Sequence, residues 1–127
     1  MPEASDLLDR FERGAIDGAS FLHVDHLEVA WAMLGRYDFS ESCERTWRAI
    51  RAMAEEVGAP EKFHATITIA FMSLIAERRA RSTATSFAAF LEENPDLEDR
   101  DLLSRWYSPE RLASSTARST FVLPDRA

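Results

Sequence analysis

Three amphipathic stretches, each opened by a helix-start signal and closed by a stop, follow one another between Ser20 and Arg81 with almost no connecting chain. That run sets most of what the chain can fold into. Ser20 can cap a helix that reaches about Leu34, where Gly35 supplies a stop. Asp38, with Glu41 behind it, reads as a capping-box variant. It opens a helix on the stripe Cys43, Trp47, Ile50, Ala54 and Val57, which Gly58 ends. Pro60 suits the first position of the next helix, because its missing N–H is one of the unpaired donors there anyway. The stripe His64, Ile67, Phe71, Leu74 and Arg78 carries that helix to Arg79 or Arg81. Helices joined so tightly pack as antiparallel neighbours, so the first and third of the run point the same way.

The flanks add shorter pieces. Ser5 is placed to cap a helix over 5–13 with Leu7, Leu8 and Phe11 on its apolar edge, broken by Gly14 and Gly18. Beyond the polar break at 82–85, Ser86 can cap a short helix carrying Phe87, Phe90 and Leu91, which stops before Pro95. A further helix is expected from Leu97 to Tyr107, one more turn from Ser108-Pro109-Glu110, and an extended tail. The expected fold is an all-α, single-domain helical bundle over 1–127, with about four main helices, a core at about 5–115 and an extended tail at 116–127.

Composition excludes several classes of function. The net charge is −7, with 15 Lys and Arg scattered among 22 Asp and Glu, so no basic stripe is available for nucleic acid or an anionic membrane. No apolar run approaches the roughly 18 residues of a membrane span. No basic, apolar leader of the secretory kind opens the chain. The single Cys43 cannot form an internal disulfide or a multi-thiolate metal site, which fits a reducing cytosol. A cytoplasmic protein is expected.

The chain has three histidines, His23, His26 and His64, and each falls near an expected helix start. His23 and His26 are neighbours by the i,i+3 rule, and Ala30 and Leu34 continue their stripe, which marks an inward face. His64 shares a face with Ile67, Thr68 and Phe71. Counting about 1.5 Å per residue from the expected caps puts all three imidazoles at one level of two parallel helices. Axes about 8–10 Å apart then let them reach one ion. The positive end of the helix dipole disfavours a protonated imidazole and leaves a lone pair for a cation. Asp25 and Glu28 are expected on the opposite, solvent side, so the set is three neutral nitrogens. Such a set suits copper, iron or zinc.

The leading expectation is therefore a mononuclear metalloenzyme, oxidoreductase-like, acting on a small organic substrate. Its apolar pocket would be walled by Ala30, Leu34, Thr68 and Phe71. Trp106-Tyr107 could close over it, with the Tyr107 hydroxyl as donor; Arg78 and Arg79 could bind an anionic ligand, but Arg78, about 21 Å along the helix from His64, reads as part of a surface ion-pair set. The competing expectation is a non-catalytic helical interaction module whose histidines are core hydrogen-bonders or a pH sensor; a structural metal staple is a third. The tail Phe121-Val122-Leu123 can dock on its own domain or across a homodimer.

The segments Phe21-x-His23-x-Asp25-His26, Ala30-Trp31, Phe63-His64-x-Thr66-x-Thr68, Asn94-Pro95-Asp96-Leu97 and Tyr107-Ser108-Pro109-Glu110 resemble a family of small bacterial all-helical proteins. The similarity covers most of 20–125, with Phe63 where that pattern favours Tyr. The resemblance implies a helical fold and carries no activity to this chain.

Overall fold

The computed structural model describes the backbone of residues 3–126 and the side chains of 6–126. Seven α-helices follow in order: α1 (Glu3–Glu12), α2 (His23–Arg36), α3 (Phe39–Glu56), α4 (Ala65–Ala80), α5 (Phe87–Glu93), α6 (Pro109–Ala113) and α7 (Ser115–Ser119). Short 3-10 turns lie at Gly18–Ser20, Pro60–Lys62, Pro95–Glu98 and Leu102–Arg105, and there is no strand among the described residues. The fold is the all-α single domain that the helix signals imply.

Where a start or stop signal has no nearby competitor, it acts as expected. The Asp38 carboxylate accepts from the Glu41 N–H at 2.9 Å and opens α3. Gly58 leaves that helix with φ +76°, a conformation that side chains disfavour. Ser86 accepts from Ala89 at 3.2 Å and opens α5.

Other signals are overridden. α2 begins at His23, not Ser20, because the Asp25 carboxylate reaches back to the Leu22 N–H at 2.9 Å and caps the helix there. Gly35 does not stop α2, which continues to Arg36. Its missing side chain serves packing instead: a Cβ would collide with the Arg79 guanidinium, which lies 4.3 Å over the Trp31 ring. Pro60 opens a 3-10 turn, and α4 begins five positions later at Ala65 with His64 as its cap. α1 starts at Glu3, so Ser5 is inside the helix, and the side chain of Ser5 lies outside the described residues. The segment expected as a helix from Leu97 to Tyr107 is two 3-10 turns, and part of the expected tail is helical as α7.

Helices α2 and α4 form the centre and run parallel. His23 meets Phe71 at 5.3 Å between ring centroids, and Trp31 meets Arg79, so eight residues along one helix match eight along the other. Leu27, Trp31, Met72, Ile75, Phe87, Phe90 and Leu97 make the main core. Each such side chain contributes about 1.5–3 kcal/mol by leaving water. A second cluster joins Leu8, Phe11 and Ile16 to Val29 and Met33, and a third joins Ala70 to Leu103, Tyr107, Ala117 and Val122.

α4 therefore packs on two sides. Met72 and Ile75 face one cluster and Ala70 another, which is why its apolar pattern marks no single stripe and why Ile67 is exposed rather than inward. On α3 the buried line is Ser42 and Thr46, one position before the expected Cys43 and Trp47, and Val57 is exposed. Tyr107 is a core residue and not a lid: it is 2% exposed and donates to the Val122 carbonyl at 2.8 Å. Val122 docks on its own domain, while Phe121 and Leu123 remain exposed.

Candidate functional site

A cavity of about 350 Å³ opens between α2, α3 and α4, and all three histidines line it. From α2 come His23, His26, Leu27 and Ala30, from α3 Thr46 and Ile50, and from α4 Thr68, Phe71, Met72 and Ile75. Phe21, Lys62, His64, Ile67 and Arg100 complete the wall. Of the expected pocket residues, Ala30, Thr68 and Phe71 are in it, whereas Leu34 packs against the main core and is not among the lining residues.

Two of the histidines hold the chain together. His64 Nδ1 accepts from the Ile67 N–H at 3.1 Å, which makes it the side-chain cap of α4. Its Nε2 therefore carries the proton and donates to the Leu112 carbonyl at 2.7 Å, tying α4 to α6. His23 Nε2 donates to the Leu97 carbonyl at 2.9 Å, tying the start of α2 to the 3-10 turn at Pro95–Glu98. Other residues of the quoted segments make similar cross-chain ties. Thr66 Oγ1 donates to the Thr120 carbonyl at 2.8 Å and accepts from the Val122 N–H at 3.1 Å. Asp96 receives a two-pronged pair from Arg78, which is the ion-pair role expected of that arginine. Thr68 donates to the His64 carbonyl at 2.8 Å.

His26 differs. Among the described residues its ring nitrogens have no hydrogen-bond partner, and its ring stacks obliquely on Phe21 at 4.4 Å. Burial, reinforced by the charge of His23 and then opposed by Asp25, pushes its pKa from 6.5 down to about 4. At neutral pH it is an uncharged, half-buried imidazole in the cavity wall, with one donor and one acceptor that no other described residue engages. The buried hydroxyl of Thr46 in the same wall also lacks a partner among the described residues.

The three imidazoles share one cavity wall, but among the described residues they are not grouped as they would be around a bound metal. The His23 ring meets Phe71, and His64 stands seven residues before Phe71 in the chain, as the cap of α4. The level counted from Pro60 fails because the first turn there is 3-10 and not part of α4. Both nitrogens of His64 are engaged, by the Leu112 carbonyl and the Ile67 N–H, whereas His23 uses only Nε2. Among the described residues no group of three or more His, Cys, Asp or Glu side chains is arranged to hold a metal.

The lining contains no Ser, Cys, Asp or Glu; its hydroxyls are that of Thr68, which donates to the His64 carbonyl, and that of Thr46. A larger groove of about 750 Å³ lies between α1 and α3. Several of its charges are answered by neighbours, with Arg45 paired to both Glu12 and Glu41. Comparison with protein-family models, curated proteins and solved structures finds no match to this chain.

Sequence reasoning picked out His26 but not Thr46, Lys62 or Arg100. Ser42 and Thr46, one turn apart on α3, are a small polar pair at the buried line, and that spacing is a signal. Arg100 lies between two 3-10 turns and has no local signature.

Proposed function

We propose that this protein is a non-catalytic helical binding module that takes a small, mostly apolar molecule into the cavity beside His26. What supports the reading is the division of labour among the histidines. His23 and His64 are backbone anchors, and His26 is kept neutral in the cavity wall with no hydrogen-bond partner among the described residues. A ligand group hydrogen-bonded to this ring would contribute about 0.5–1.5 kcal/mol. The cavity volume falls in the range of small-molecule sites.

The test is a titration of small aromatic and aliphatic molecules followed by nitrogen-15 NMR of backbone amides and of the His26 ring. Binding that moves the His26 ring and the amides of Phe21, Thr68 and Phe71 supports the module. If no compound binds at millimolar concentration, or binders map to other surfaces, the reading fails.

The common cavity also keeps a metal-dependent enzyme on His23, His26 and His64 as a second reading. It requires His64 to give up the Leu112 carbonyl or the Ile67 N–H, at a cost of about 1–3 kcal/mol for the group left unpaired, whereas His23 can ligate through Nδ1 and keep the Leu97 carbonyl. Metal content decides: about one equivalent of copper, iron or zinc, lost in both His26→Ala and His64→Ala, would establish it over the binding module.

A further inference from the structure

The cavity wall is electrostatically at odds with the rest of the molecule. Acidic residues exceed basic ones, 22 to 15, yet no carboxylate lines this cavity. Its two formally charged lining residues are both cations, Lys62 and Arg100, both exposed and so at its opening. Most other arginines are committed to ion pairs, among them Arg36, Arg45, Arg78 and Arg105. Lys62 and Arg100 have no ion pair among the described residues. Behind them the wall turns apolar, through Leu27, Ile50, Phe71 and Met72, with the His26 ring among these side chains.

Resting on the binding-module reading, we propose that the ligand is a small organic monoanion, a carboxylate on an apolar aryl or alkyl body. Its head lies between Lys62 and Arg100, and its body fills the apolar space behind. Hydrogen bonds to charged groups are stronger than neutral ones, and an Arg fork suits a carboxylate. About 350 Å³ admits a body of roughly a dozen non-hydrogen atoms, by comparison with the roughly 30 Å³ that one water occupies in the liquid. Because the cations lie at the opening, they also raise the local concentration of anions around a protein whose net charge of −7 would otherwise repel them.

Calorimetric titration at pH 7.5 and low salt with phenylacetate, phenylacetamide and phenethylamine tests this. The expected order is the acid tightest, by about tenfold or more over the amide, with the amine weakest. Lys62→Gln with Arg100→Gln brings the acid to the level of the amide and leaves the amide unchanged. Raising sodium chloride from 50 to 500 mM weakens the acid and spares the amide, and this arm needs no variant. An amide that binds as tightly as the acid, or an amine that binds tighter, overturns the anion assignment and leaves the cavity reading standing. Failure of all three probes to bind overturns both.

Discussion

His26→Gln removes an imidazole that burial keeps uncharged, and the effect on stability can be worked out from that burial. The folded protein keeps this ring near 4, whereas in the unfolded chain it returns to about 6.5. The unfolded state therefore takes up the proton first as pH falls. The stabilisation is fully present above pH 6.5, declines between 6.5 and 4, and is flat below that. The gap between the two values corresponds to about 3 kcal/mol, of which about 2 kcal/mol is already lost at pH 5.

Urea denaturation at pH 7.5 and 5.0, followed by tryptophan fluorescence, reads this directly. The wild type loses about 2 kcal/mol more between the two conditions than the glutamine variant does. Asp96 and Asp125, whose pKa values are lowered by Arg78 and by Ser108 respectively, also weaken the fold in acid, but they are common to both proteins and cancel in the difference. Equal losses in the two proteins would refute the claim that His26 is buried and uncharged, and with it the hydrogen-bonding role given to this ring.

Thr66→Val leaves the Thr120 carbonyl and the Val122 N–H without their partner and is expected to cost about 2–4 kcal/mol in chemical denaturation, while Thr66→Ser, which keeps the hydroxyl, costs less. Tyr107→Phe removes the bond to the Val122 carbonyl and lowers stability by about 1–2 kcal/mol, with faster amide exchange confined to residues 120–126; a global loss of protection would contradict this. Arg78→Gln breaks a partly exposed pair with Asp96, so its cost is about 1 kcal/mol or less and shrinks in high salt. Dialysis against a chelator leaves the melting temperature unchanged if the three histidines serve as described; a fall of several degrees reversed by copper, iron or zinc would favour the metal reading.

Most of the helical architecture was legible because its signals are local. Asp38 and Ser86 cap helices through an N–H three residues away, and Gly58 turns the chain on its own. The misplaced boundaries are those where two signals compete within a few residues. Ser20 and Asp25 both offer an oxygen to a helix start, and Asp25 takes the Leu22 N–H. Pro60 and His64 both mark a start, and a 3-10 turn separates them. Propensity cannot rank such rivals, because the winner also has to suit what the helix packs against.

Such displacements carry into the site. Moving the start of α4 from Pro60 to Ala65 shifts the axial count to His64 by about 7 Å, and the later start of α2 shifts the count to His23 and His26 by about 3 Å in the same sense. The true register comes from Phe71 against His23 and Arg79 over Trp31, pairs 48 residues apart. The two carbonyls that engage the anchoring imidazoles lie 74 and 48 residues from them, so no local pattern announces that these rings are committed. Helix periodicity can place three imidazoles around one cavity, but only the long-range pairings assign their tasks. Two become struts for loops that arrive later in the chain, and His26 is left facing the cavity, where removing it tests binding apart from the anchoring of those loops.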